Sequence, residues 1–171
     1  MTQAGWPGRF DRTRPRVGRM QGLPLLSSPV PDILVASDSD HVINELAAAL
    51  SDPGTTVRSV RRGADVRPTV EAKAPDLAIL DLQIGNMGGM AACLDLRLEA
   101  GADRIPDVPV LMLLDRRADV FLARRSGADG FLVKPLDALR ISRAVTAILD
   151  GGTYEDPTGA PPAAGIAAGV G

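Results

Sequence analysis

Short apolar runs alternate with helical patterns along the middle of this chain, and that alternation constrains the fold more than any other feature. Ile33-Leu34-Val35-Ala36 leads into Ser37-Asp38, Leu77-Ala78-Ile79-Leu80 ends at Asp81, and Phe131-Leu132-Val133 leads into Lys134-Pro135. Runs of about four β-compatible residues, separated by helices, are the signature of buried parallel strands. Two further strands are predicted. Thr56–Val60 is polar enough to sit at a sheet edge, and Val110–Leu114 is opened by Pro109.

Between the strands the spacing changes to that of helices. Ile43, Leu46, Ala47 and Leu50 fall on one helical face, and Asp52-Pro53-Gly54 stops that helix. A short helix is predicted near Arg67–Lys73, with Pro68 tolerated in its first turn. Others span Met90–Leu98 after Gly88-Gly89, Arg116–Ser126 before Gly127, and a last helix that Asp137 caps and Gly151-Gly152 ends. Strands and helices that alternate through short links require a parallel sheet with right-handed crossovers. The expected fold is therefore α/β: a flavodoxin-like, doubly wound sheet of five parallel strands.

The 171 residues suffice for one domain with tails. The domain is expected over 32–150. Residues 1–31, which scatter Arg9, Arg12, Arg14, Arg16 and Arg19 among Gly and Pro, are expected to be a disordered leader. Residues 151–171, mostly Gly, Ala and Pro, are expected to be a flexible tail. Neither tail is long enough for an effector domain, so a stand-alone domain is expected. The net charge of −2 argues against a dominant nucleic-acid or membrane surface. No apolar stretch approaches the roughly 18–20 residues that span a bilayer. The N-terminus lacks the pattern of a signal peptide. A single cysteine, Cys93, rules out an internal disulfide and points to a reducing compartment, so a cytoplasmic location is expected.

In an open parallel sheet, functional groups collect beyond the carboxyl ends of the strands. Asp38, Asp81 and Lys134 stand at three such ends, so they are expected to meet in one crevice. Other polar residues carry weaker signals. His41 has no ligand set around it and Cys93 no His partner. Gly85, Gly88 and Gly89 lack the spacing and the lysine of a nucleotide-binding loop. Arg116, Arg117, Arg124 and Arg125 form a basic stripe that fits a solvated face.

From Asp32 to Gly151 the chain resembles the receiver domains of two-component response regulators. The resemblance rests on Ile33 to Asp38, on Pro75 to Leu82 and, most specifically, on Gly127 to Pro135. It implies that Asp81 accepts a phosphoryl group from a histidine kinase or phosphotransfer protein. It also implies that Mg²⁺ is held by Asp38, Asp81 and the backbone carbonyl of Gln83, and that Lys134 contacts the phosphate. The Lys134–Pro135 bond is expected to be cis, as in the family. Output would pass to a downstream protein or a second copy through the last helices and strand. No enzymatic turnover is implied.

Two departures from the family pattern stand out. Ser37 replaces the first acid of the usual pair, which is expected to weaken Mg²⁺; Asp40 could compensate, from a helix start. Leu114 replaces the Thr or Ser that bonds the phosphate, and Phe131 takes the aromatic switch position downstream of that missing hydroxyl. A hydrogen bond to a charged group is worth about 1.5–3 kcal/mol. Allosteric couplings are of similar size, about 1–3 kcal/mol. The alternative is accordingly a phosphorylation-independent pseudo-receiver that acts as an interaction module. A phosphatase-like hydrolase is disfavoured because Gln83 stands where such enzymes place a second acid.

Overall fold

A computed structural model describes residues 30–157. The bulk of the N-terminal leader and residues 158–171 lie outside the described residues. The elements are β1 (Asp32–Ala36), α1 (Asp40–Ala49), β2 (Thr56–Val60), α2 (Val66–Ala72), β3 (Leu77–Asp81), α3 (Gly89–Gly101), β4 (Val110–Leu114), α4 (Val120–Arg125), β5 (Gly130–Val133), α5 (Ala138–Leu149) and β6 (Tyr154–Glu155). Short 3-10 turns, Gly63–Asp65 and Arg117–Asp119, lead into α2 and α4.

The strands pair in the order β2-β1-β3-β4-β5-β6, and every pairing is parallel. All five residues of β1, β3 and β4 are buried, as strands covered on both faces must be. β2, with its polar residues, lies at one edge as expected. Because side chains alternate across a strand, the sheet feeds two cores. Ile33, Val35, Leu77, Ile79, Leu111, Leu113 and Leu132 pack under α1 and α5. Leu34, Leu80, Met112, Leu114 and Phe131 pack under α2, α3 and α4.

Local chemistry sets the element ends. The Ser39 hydroxyl accepts from Val42 N at 3.4 Å and opens α1; the Asp137 carboxylate accepts from Arg140 N at 2.9 Å and opens α5. Pro68 is the third residue of α2, where no intrahelical donor is lost. The helix expected over Arg116–Ser126 is shorter than its sequence pattern, because its first turn winds as the tighter 3-10 form.

Over its described part, 151–157, the expected flexible tail requires a correction. Gly151–Gly152 does end α5, but the chain then returns to the sheet as β6, pairing Gly130 with Tyr154 and Phe131 with Glu155. Composition hid this strand, because two residues give no periodicity. It is held by specific polar contacts: Tyr154 N donates to Asp129 O at 3.1 Å, and the Asp156 carboxylate accepts from Val133 N at 2.8 Å.

Candidate phosphoryl-accepting site

The carboxyl ends of β1, β3, β4 and β5 meet around Asp81, whose residue surface is 2% exposed. Its carboxylate accepts four hydrogen bonds. Lys134 Nζ lies 2.9 Å from Oδ1 and 3.0 Å from Oδ2. Ser37 Oγ donates to Oδ2 at 2.9 Å, and Gln83 N donates to Oδ1 at 3.2 Å. Four hydrogen bonds from three donors fill the lone-pair capacity of one carboxylate, so a buried negative charge is fully satisfied here.

Sequence separation explains why the strands are needed: Ser37 lies 44 residues from Asp81, and Lys134 lies 53. Asp81 is drawn to the strand end by register, with β3 paired to β1 on one side and β4 on the other. Lys134 is fixed by its own backbone, whose N–H donates to Leu114 O at 2.8 Å, and its bond to Pro135 is cis as expected.

Lys134 is shared. Its ammonium also lies 3.1 Å from Asp115 Oδ1, an exposed carboxylate one residue past β4. Burial pushes the ammonium towards its neutral form, but the hydrogen bonds to Asp81 and Asp115 outweigh that and raise its pKa above the ordinary lysine value. A group with a raised folded pKa adds stability in full below its unfolded value, about 10.4. That stability disappears as pH rises through the folded value. Unfolding free energy is therefore expected to fall above pH about 10.4, where Tyr154, whose pKa burial also raises, adds to the loss; Lys134→Met should make that fall shallower in urea titrations.

Asp38 is exposed at the mouth of the site, where its Oδ2 accepts from Gly85 N at 3.1 Å. Asp40, the candidate compensating acid, is paired with Arg61 at 2.5 Å. Ser37 carries more than its expected role as a lost acid, because its hydroxyl is a donor to Asp81. Leu114 is wholly buried and belongs to the core beneath α4, with Phe131 in the same cluster at 1% exposure. Position 114 thus offers the site an amide carbonyl and no hydroxyl. His41 is a surface residue 3.8 Å from Glu45. In the basic stripe, Arg116 pairs with Asp119 and Arg124 with Glu155.

Asp115 and Gly63 escaped the sequence analysis. Asp115 has only its place beside Leu114 as a signal. Gly63 has none, since its partners are distant in sequence. Gly63 N and Ala64 N donate to Gly85 O and Asn86 O at 3.2 and 3.0 Å, docking the α2 entry turn on the β3–α3 loop. A Cβ at Gly63 would lie 1.6 Å from Met87 O, an impossible overlap. The loop cannot yield cheaply, because Asn86 and Met87 already sit at φ of 50° and 81°. Gly63→Ala is expected to cost about 3 kcal/mol, the upper range for forced overpacking, and to shift the amide signals of Gly85 and Asp38 in a two-dimensional NMR spectrum.

The family model for the response regulator receiver domain matches residues 33–146. The chain belongs to that family. Its members act as phosphoacceptor and signalling modules rather than as enzymes. Protein PilH of Pseudomonas aeruginosa is 28% identical over 119 residues, covering 70% of this chain and 98% of its own. The transcriptional regulatory protein GltR of the same species is 32% identical, over 68% of this chain and 48% of its own length. The chain thus spans about half the length of GltR and of AfsQ1 from Streptomyces coelicolor. Among solved structures, the signal receiver domain of a signal transduction histidine kinase from Syntrophus aciditrophicus superposes with a TM-score of 0.62 at 28% identity, over 71% of this chain and 91% of that one. The receiver domain of NtrX from Brucella abortus gives 0.62 at 27% identity, over 70% and 98%. No helix among the described residues is long and apolar enough to cross a membrane.

Proposed function

We propose that this receiver accepts a phosphoryl group on Asp81 from a histidine kinase or phosphotransfer protein, and passes the signal on through protein–protein contact. The carrying observation is the buried Asp81 carboxylate with the Lys134 ammonium on both its oxygens. In the transfer, an Asp81 oxygen forms a bond to phosphorus as the donor's phosphorus–nitrogen bond breaks and the imidazole keeps that electron pair. Charge on the moving group must be neutralised by groups already in place. Lys134 supplies one positive charge, and the Ser37 hydroxyl and Gln83 N–H supply donors that can follow the oxygens.

The oxygen donors fit a magnesium ion. Among the described residues no three acidic, His or Cys side chains cluster as a metal cage. The set is two carboxylates, Asp38 and Asp81, with the Gln83 carbonyl, which suits an ion that keeps several waters. The ion would supply further charge neutralisation on the phosphoryl oxygens. Because Asp81 already accepts four hydrogen bonds, coordination there has to displace one of them, which supports weak Mg²⁺ binding. Cys93, a buried free thiol, suits a reducing compartment such as the cytoplasm.

A second reading, a pseudo-receiver that works without phosphorylation, is favoured by one observation: Leu114 is wholly buried in core packing and offers no hydroxyl. Intact mass after incubation with Mg²⁺ and acetyl phosphate separates the two. The first predicts one added phosphoryl group, which does not form when Mg²⁺ is chelated before the donor is added and is absent in Asp81→Asn. A folded wild-type protein that gains no mass, and whose partner binding is unchanged by Asp81→Asn, supports the second.

A further inference from the structure

A polar network outside the Asp81 site ties the segment after α5 to the turn that carries Lys134. Asp156 has a fully buried carboxylate, although it lies just past the edge strand β6. Its Oδ2 accepts from Val133 N at 2.8 Å and from Arg140 Nη1 at 2.6 Å. The same Arg140 donates from Nη1 to Val133 O at 3.2 Å and from Nη2 to Pro135 O. Val133 and Pro135 are the two neighbours of Lys134. The residue before Lys134 is held at both its N–H and its C=O, and the residue after it at its C=O. Lys134 N–H is itself held by Leu114 O. Strand geometry alone does not do this, since β5 stops at Val133.

A buried carboxylate is costly unless it is paired and hydrogen-bonded, so the pair is stable only as a complete network. Completion requires β6 to lie against β5, and the fold allows for that approach. A Cβ at Gly130 would come within 2.5 Å of Tyr154 O.

We propose that Asp156, acting through Arg140, is a positioning residue for Lys134: the chain following α5 is a clasp that fixes where the ammonium stands over Asp81. This rests on Asp81 as phosphoacceptor. Displacement of a catalytic group by about 1 Å can lower a rate on the order of a hundredfold, so the clasp matters to phosphoryl uptake without touching the phosphoryl group. It also makes the segment after α5 a point from which site reactivity can be altered.

The test compares the full chain with Asp156→Asn and Arg140→Gln, using Arg124→Gln as a control that breaks the Glu155 contact but leaves the Lys134 turn alone. Two readouts are taken: the NMR signal of the Lys134 ammonium, and the rate of uptake from acetyl phosphate with Mg²⁺ over a range of donor concentrations. In both clasp variants the ammonium signal is expected to shift or broaden. Uptake at saturating donor is expected to drop about tenfold or more, with the half-saturating donor concentration unchanged. The control is expected to match wild type in both. If either clasp variant folds with wild-type amide dispersion and an unmoved ammonium signal, the inference is overturned. Wild-type uptake that persists unchanged in the variants overturns it as well. A wild type that takes up no phosphoryl sinks the phosphoacceptor assignment instead, and the ammonium signal then decides the clasp alone.

Discussion

Lys134→Met is expected to destabilise the protein by about 3 kcal/mol at neutral pH, the lower end of the range for breaking a buried ion pair. Removing the ammonium leaves the Asp81 carboxylate, with a side chain 3% exposed, buried without a counter-charge. Ser37 Oγ and Gln83 N still solvate it, which keeps the cost from rising further. Asp81→Asn is expected to cost less, because Lys134 retains Asp115 and a side chain 21% exposed. The double variant is expected to regain much of the loss, since replacing both members of a buried pair is often close to neutral. Urea denaturation of the four proteins closes this cycle. Costs that simply add would mean that the two side chains do not interact in solution.

The second large effect lies in the core behind the site. Phe131 is among the largest fully buried side chains and shares a core cluster with Leu114, with Met112 and with Val120 of α4. Phe131→Ala is expected to cost about 3–5 kcal/mol, the lost transfer energy together with the cavity left behind. The magnitude bears on signalling. The resemblance implies a switch role for Phe131 that would depend on a hydroxyl at position 114, and here Leu114 and Phe131 lie in one apolar core cluster. A stable core with a large Phe131→Ala cost, unchanged by phosphoryl uptake at Asp81, would mean that this pair does not switch. A cost that falls after uptake would mean that phosphorylation loosens it.

The fold was legible because each of the first five strands carries its own local evidence. Leu77–Asp81 and Val110–Leu114 are continuous apolar runs of strand length, and the buried parallel sheet follows from them without any long-range information. The meeting of Asp81 with Lys134 was legible for the same reason, since a topological rule sends strand ends to one crevice. Contacts that depend on atomic reach rather than topology were not. Nothing in the sequence says that Ser37 donates its hydroxyl to Asp81, or that Asp115 takes a share of Lys134. β6 was invisible because its two residues sit among Gly, Pro and Ala, and because its anchor is Asp156, a charged residue that composition assigns to solvent. Gly63 was hidden for a steric reason: only the approach of Met87 O in three dimensions forbids a side chain there.

The most direct test of the account is where a phosphoryl group attaches. After incubation of the wild-type chain with Mg²⁺ and acetyl phosphate, borohydride reduction converts an aspartyl phosphate to homoserine, which peptide mass spectrometry can locate. The expected result is homoserine at position 81 alone, and none in Lys134→Met within the same incubation time. Reduction at Asp38 or Asp115 in place of Asp81, or no reduced aspartate in a folded protein, would contradict the assignment of Asp81 as the phosphoacceptor.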